Sequence, residues 1–123
     1  MLPRQAVIPA LVRVKPGALD RVGIYAERER FRQVMVFFSE GLNESFLGRL
    51  DASLAPRGIS VLHSAPVESV CFEHLSNYFQ GLPVQVDAII GLGGGKALDV
   101  AKYIGFLSRL PYLAVPTSLS NRA

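Results

Sequence analysis

The chain has 123 residues, half of them hydrophobic, with a formal net charge of +3 and a mean hydropathy of +0.29. This length suffices for one domain with a hydrophobic core, and the composition excludes a disordered chain. Arginines and glutamates alternate over residues 27–32, which is typical of a solvated helix end and argues against a nucleic-acid partner. No apolar run approaches the roughly 20 residues of a membrane helix and no signal peptide is evident, so neither a membrane protein nor a secreted protein is expected.

The apolar residues recur in patterns that predict five strands separated by helices. The predicted strands cover 10–14, 33–39, 59–62, 88–90 and 112–115, and the predicted helices cover 18–30, 44–54, 67–80 and a segment from 96 onward. Asn43 is the predicted cap of the second helix, and 64–66 is predicted to be a loop. This alternation indicates an α/β fold: a Rossmann-like parallel sheet with helices on both faces, in a single domain.

Three details of the helices lead to expectations about packing. The third helix has an apolar stripe formed by Cys71, Leu75 and Phe79. Cys71 is the single cysteine, and we expect a buried thiol in a cytoplasmic protein. The last helix has an apolar face formed by Leu98, Ala101, Ile104 and Leu107. Gly23 is expected to weaken the first helix by about 1 kcal/mol relative to alanine.

Three consecutive glycines, Gly93–Gly95, follow the fourth predicted strand and precede the last helix. Without Cβ atoms, the backbone there can adopt positive φ and approach a ligand closely. The first turn of the helix offers free N–H groups and the positive end of the helix dipole, which together favour a phosphate. The spacing differs from the G-x-G-x-x-G fingerprint, because Leu98 stands three residues after Gly95. The alternative is a tight turn whose glycines serve packing only.

The segments GGGKALDVAK at 93–102 and VPTSLSN at 115–121 resemble the superfamily of glycerol dehydrogenases, iron-containing alcohol dehydrogenases and glycerol-1-phosphate dehydrogenases. In that superfamily a G-G-G-K-x-x-D-x-A-K stretch is followed by P-T-x-x-S. The PTSLSN ending looks most like the glycerol-1-phosphate dehydrogenase branch. The dehydroquinate synthases share the fold. The resemblance covers essentially all of 1–123, but only the N-terminal part of a typical family member, and it implies a dinucleotide-binding domain.

The resemblance also implies which residues bind NAD(H) or NADP(H). The implied cofactor-binding residues are Gly93, Gly94, Gly95, Lys96, Asp99, Thr117, Ser118, Ser120 and Glu40. Glu40 follows the second strand, where a carboxylate accepts hydrogen bonds from ribose hydroxyls and favours NAD over NADP. Each polar residue also has a plainer explanation: Glu40 as an exposed loop residue, Asp99 as an acid that complements the helix dipole in the first turn, and the hydroxyls of 117–120 as cap residues.

The metal ligands of the resembling family, an aspartate and two histidines, lie in a following helical domain that is absent from 1–123. A divalent metal (zinc, iron or nickel) is therefore expected only in a full-length relative, and no catalytic residue is assigned. His63 and His74 are expected to be structural, since no spacing pairs them as ligands, and nothing near Cys71 in sequence would activate its thiol.

The function implied is the cofactor domain of a metal-dependent glycerol-1-phosphate (polyol phosphate) dehydrogenase-like oxidoreductase, inactive as this chain alone. The family pattern stops at Asn121, which favours shortening by a frameshift or a premature stop. A free-standing nucleotide-binding or oligomerisation module without catalysis is the alternative. A fragment of a dehydroquinate synthase-like cyclase is a further alternative. We expect a homo-oligomer, because an apolar face normally covered by the second domain would promote association.

Overall fold

The structure is a computed structural model that describes residues 11–13, 19–69 and 71–117. The strands are β1 (Leu11–Arg13), β2 (Gln33–Ser39), β3 (Ser60–Val67), β4 (Ala88–Gly93) and β5 (Tyr112–Pro116). The helices are α1 (Val22–Arg28), α2 (Glu44–Leu54), α3 (Phe72–Gln80) and α4 (Gly95–Ser108), with short 3₁₀ turns at Leu19–Arg21 and Ala55–Arg57. None of these helices is both long and apolar enough to span a membrane.

The five strands form one parallel sheet in the order β1-β5-β4-β2-β3, which confirms the predicted fold class. Side chains alternate across β2, so that Val34 and Val36 belong to one buried cluster while Met35 and Phe37 belong to another. The first cluster also contains residues of α1 and α2, and the second contains residues of α4. The helices therefore cover both faces of the sheet, which is why β2 and β4 consist almost entirely of apolar residues.

The carboxyl ends of four strands meet at one edge of the sheet. Ser39 at the end of β2 is in register with Val67 at the end of β3, and Gly93 at the end of β4 is in register with Pro116 at the end of β5. Because the strands are parallel, every loop that follows a strand starts at this edge. Ligands in open α/β sheets bind beyond such an edge.

The prediction of a short third strand followed by a loop was wrong. β3 extends to Val67, and residues 64–66 pair with β2. Pro66 suggested a break, but β3 is an edge strand, where proline is tolerated because one side of the backbone has no ladder partner. The third helix consequently begins at Phe72 rather than at residue 67.

The buried face of α4 is rotated by part of a helical turn from the apolar face predicted for it. Ala97, Val100 and Gly105 are buried together with the predicted Ala101 and Ile104. Leu107 is exposed and Leu98 is only partly buried. The reason is a close approach of α4 to β4: a Cβ added at Gly91 would lie 2.8 Å from the Ala101 Cβ. Small residues permit this approach. Because they are only weakly hydrophobic, a pattern based on large apolar side chains does not detect them.

Gly23 has a role that its helix propensity does not reveal. Its N–H donates a hydrogen bond of 2.8 Å to Ser53 Oγ on α2, and a Cβ at this position would overlap the Ser53 carbonyl oxygen. Glycine is thus required for the contact between α1 and α2, and alanine would not be an improvement here. The predicted cap of α2 is confirmed, since Asn43 Oδ1 accepts a hydrogen bond from the Ser45 N–H at 2.8 Å.

Candidate functional site

The glycine turn, Gly93–Gly95, connects β4 to α4 at the carboxyl edge of the sheet. Gly93 ends the strand with a φ of +129°, a conformation that side chains rarely permit. Gly94 is the N-cap residue of α4, and its N–H donates a hydrogen bond of 2.8 Å to Ser39 Oγ. The last residue of β2 therefore holds the turn in place from the neighbouring strand.

The three glycines of the turn differ in whether the fold leaves room for a side chain. A Cβ at Gly93 would overlap the Ser39 hydroxyl, so the fold itself requires glycine there. Gly94 has an ordinary φ of −97°, and a Cβ there would lie 3.8 Å from Ser39 Oγ. A Cβ at Gly95 would have no atom of the described residues within 4 Å. Packing within the chain accounts for Gly93 alone, whereas Gly94 and Gly95 leave open space at the surface.

This open space lies over the N-terminus of α4. The first helical hydrogen bond runs from the Leu98 N–H to the Gly94 carbonyl, at 3.1 Å. Helix geometry leaves the N–H groups of Gly95, Lys96 and Ala97 without a carbonyl partner inside the helix. Because α4 is 14 residues long, its aligned peptide dipoles place a positive partial charge at the same point. An anion such as a phosphate is favoured there.

A cleft of about 300 Å³ lies beside the glycine turn. Its lining residues are Ser39, Glu40, Val67, Glu68, Gly94, Gly95 and Lys96. This volume is at the lower end of the range for small-molecule sites, about 300–1,000 Å³, so the cleft can hold part of a dinucleotide rather than all of it. Of the predicted cofactor-binding residues, Glu40, Gly94, Gly95 and Lys96 line this cleft.

Two carboxylates line the side of the cleft that is formed by β2 and β3. Glu40 follows β2 and Glu68 follows β3, and the Glu40 N–H donates to the Val67 carbonyl at 3.4 Å. Both side chains are exposed, and neither is in the two ion pairs of the described residues, which join Arg49 to Asp20 and Arg57 to Glu27. Glu68 was not predicted as a site residue, because the sequence pattern places it inside a helix.

Thr117 lies on the opposite side of the glycine turn. Its N–H donates to the Gly93 carbonyl at 3.2 Å, which continues the register of β4 and β5 by one residue. The turn is therefore flanked by carboxylates on the β2 side and by a hydroxyl residue on the β5 side. The predicted Ser118 and Ser120 lie outside the described residues.

Asp99 lies away from this cleft. It is the fifth residue of α4, whose first turn contains no acidic residue, so the expected first-turn position was wrong. Asp99 instead lines a shallow apolar groove, together with Leu75, Lys102, Tyr103 and Phe106. Its assignment to the cofactor site stays a prediction.

Cys71 is exposed, contrary to the expectation of a buried thiol, and it is the N-cap residue of α3 rather than a residue within the helix. Its Sγ lies 3.5 Å from Ser69 Oγ, which in turn is 2.8 Å from His74 Nδ1. The Ser69 hydroxyl, followed by the backbone N–H of His74, holds the pKa of the Cys71 thiol below its ordinary value. The effect of Ser69 on the thiol was not predicted from the sequence, and the expectation that Cys71 is not a nucleophile stays a prediction.

Neither histidine belongs to a metal site among the described residues. His63 is exposed on the edge strand β3, and His74 is half-buried on α3. Within residues 11–13, 19–69 and 71–117, no group of three or more histidine, cysteine, aspartate or glutamate side chains could hold a metal ion.

The chain is similar to curated glycerol-1-phosphate dehydrogenases [NAD(P)+]. The enzyme of Aeropyrum pernix is 30% identical over 120 residues, an alignment that covers 93% of this chain and 33% of the relative. The enzyme of Thermofilum pendens is 50% identical over 38 residues, which cover 31% of this chain and 11% of the relative. Over its matched length, the chain spans about a third or less of these curated relatives.

Solved structures of dehydrogenases share the fold. A 1,3-propanediol oxidoreductase superposes with a TM-score of 0.77 at 20% identity, over 92% of this chain and 35% of its own. Glycerol dehydrogenase from Schizosaccharomyces pombe gives a TM-score of 0.74 at 24% identity, over 87% of this chain and 27% of its own. The family model for iron-containing alcohol dehydrogenase matches residues 13–122, which is nearly the whole chain. The chain therefore belongs to the iron-containing alcohol dehydrogenase family.

Proposed function

We propose that this chain is the NAD(H)-binding part of a metal-dependent glycerol-1-phosphate dehydrogenase-like oxidoreductase. The observation that carries the proposal is the contrast within the glycine turn: Gly94 and Gly95 have no side chain where the fold leaves room for one. The names of the curated relatives, glycerol-1-phosphate dehydrogenase [NAD(P)+], support this branch of the family over a dehydroquinate synthase-like cyclase.

The pyrophosphate of the cofactor would lie over Gly94 and Gly95, close to the free N–H groups of the first turn of α4. Lys96 is exposed at the same cleft and would face the phosphates as a point charge. Glu40 would accept hydrogen bonds from ribose hydroxyls on the β2 side, and Thr117 would contact the cofactor on the β5 side. When bound, the nicotinamide ring supplies the hydride-transfer chemistry.

The described residues do not fit a catalytic metal, since no group of three or more ligating side chains lies together among them. No step of alcohol oxidation is therefore assigned to a residue described here. What these residues would do is bind the cofactor and orient it along the carboxyl edge of the sheet.

Calorimetric titration of the purified chain with NADH tests the proposal, with Gly94→Asp as the variant. The structure has room for a side chain at Gly94, so the variant should fold, while its carboxylate would occupy the phosphate position and repel the phosphates. We expect NADH affinity to fall by about 100-fold or more, comparable to the loss of a charge-assisted contact together with a new repulsion.

Gly48→Asp is the matched control. Gly48 is exposed on α2, and within the part of the chain that the structure describes no atom would lie within 4 Å of a Cβ there, so the same change of charge is made away from the cleft. This variant should bind NADH like the unaltered chain. If the folded unaltered chain binds no NADH, or if both variants lose affinity equally, the glycine turn is not the cofactor site.

We also propose that the chain associates with itself. Tyr103, Phe106 and Leu107 are exposed on the outer surface of α4, and Phe106 retains 78% of its accessible surface. Exposed large apolar side chains on one helix favour association, because their burial removes apolar surface from water.

A further inference from the structure

We propose that Glu68 is a specificity-determining residue that disfavours NADP(H) in the cleft beside the glycine turn. The inference rests on the proposed function, since it concerns the same site, and it assigns a role to a residue that sequence analysis did not select. The inference is based on the end of β3 at Val67, which places Glu68 directly after the strand.

The registered ends of β2 and β3 bring two carboxylates to one side of the cleft. Ser39 is opposite Val67 in the parallel ladder, so the residues that directly follow the two strands are Glu40 and Glu68. The hydrogen bond from the Glu40 N–H to the Val67 carbonyl keeps the strand ends together at this point. Both glutamates line the cleft with Gly94, Gly95 and Lys96.

Like charges on neighbouring strands repel each other, and this pair has no compensating ion pair among the described residues. Among the described residues that line the same cleft, Lys96 is the cation, and it lies on the glycine-turn side, where the pyrophosphate is proposed to bind. The β2–β3 side of the cleft therefore has a negative potential, whereas the α4 side has a positive one.

This division of charge decides which ribose fits. A dinucleotide whose pyrophosphate lies over Gly94 and Gly95 extends one ribose toward the two glutamates. Free ribose hydroxyls donate hydrogen bonds to carboxylates, whereas a 2′-phosphate adds negative charge that both carboxylates repel. Glu68 doubles the acidic charge that Glu40 alone would present.

The test is the ratio of the NADPH and NADH dissociation constants, measured by calorimetry for the unaltered chain and for Glu68→Gln. We expect the ratio to fall about five-fold in the variant at low salt, as removal of one nearby surface charge would produce, and the difference to shrink as salt is raised. Glu29→Gln is the matched control: it makes the same change of charge just before β2 begins, at the opposite edge of the sheet. The control should leave the ratio unchanged.

Two further measurements separate the possible outcomes. Glu68→Gln combined with Glu40→Gln should lower the ratio below that of Glu40→Gln alone, which shows that Glu68 acts itself rather than by positioning Glu40. Glu68→Ser should reproduce the effect of Glu68→Gln if charge is the cause. Binding of both cofactors with a ratio that Glu68→Gln does not change overturns this inference and leaves the proposed function standing. If the folded unaltered chain binds neither cofactor, both are overturned.

Discussion

The two edges of the sheet use their polar groups in opposite ways. At the amino edge, the Asp87 carboxylate accepts hydrogen bonds from the Arg32 N–H, at 2.9 Å, and from the Gln33 N–H, at 3.2 Å. At the carboxyl edge, the Glu40 and Glu68 carboxylates are exposed beside a cleft, and the first turn of α4 leaves its N–H groups without helical partners. The carboxylate at the amino edge is used within the fold, whereas the two carboxylates at the carboxyl edge line a cleft at the surface.

Strands β2 and β4 contribute to both edges, and β3 adds Glu68 at the carboxyl edge. A carboxylate that accepts two or three backbone hydrogen bonds stabilises the fold, because it satisfies donors that would otherwise lack a partner. A carboxylate at the surface contributes little to stability and is available for binding. Comparable residue types thus have different roles according to which end of the strand they occupy.

The largest effect on stability is expected at Gly93, because the packing at the carboxyl edge leaves no room for a side chain there. Gly93→Ala would place a Cβ against the Ser39 hydroxyl in a backbone conformation with φ of +129°, and it would disturb the hydrogen bond from the Gly94 N–H. Strain and overlap together should lower the free energy of unfolding by about 3 kcal/mol. Urea denaturation followed by circular dichroism measures this change.

Gly94→Ala is the matched comparison, since its Cβ would meet Ser39 Oγ at an ordinary 3.8 Å. It should change the free energy of unfolding by less than about 0.5 kcal/mol. Equal losses in the two variants would mean that the division between a structural Gly93 and an open Gly94 is incorrect.

A smaller loss of stability is expected from Asp87→Ala at the amino edge. The variant leaves the backbone N–H groups of Arg32 and Gln33 without their carboxylate acceptor, which should cost about 2 kcal/mol. Glu40→Ala removes a carboxylate from the carboxyl edge, where its side chain is exposed, and should change stability by less than about 0.5 kcal/mol. The same denaturation experiment compares both variants. A Glu40→Ala loss as large as that of Asp87→Ala would remove the distinction between the two edges.

Sequence periodicity was sufficient for the parts of the fold that have strong local signals. β2 has the predicted bounds, because a continuous apolar run buried on both faces is unambiguous. The Asn43 cap was predicted correctly for a similar reason, since the cap requires only neighbouring residues. The glycine turn was found because strand, glycines and helix follow each other directly in the chain.

The remainder of the candidate site depends on which strands are neighbours, and local patterns do not contain this information. Ser39 supports the glycine turn only because β2 lies beside β4. Glu68 reaches the cleft only because β3 continues through Pro66, which a sequence pattern treats as a break. The error at Pro66 also placed Cys71 inside a helix, and its exposure was missed for that reason.

The smallest expected effect concerns Cys71, an exposed residue that follows the carboxyl end of β3. The Ser69 hydroxyl lowers the pKa of the exposed thiol, so a larger fraction is thiolate near neutral pH than for a free cysteine. The rate of alkylation by iodoacetamide should therefore reach its midpoint below the ordinary pH of about 8.5. Ser69→Ala should move that midpoint upward, whereas Ser45→Ala at the start of α2 should not. A midpoint that is the same in all three proteins would mean that Ser69 does not stabilise the thiolate.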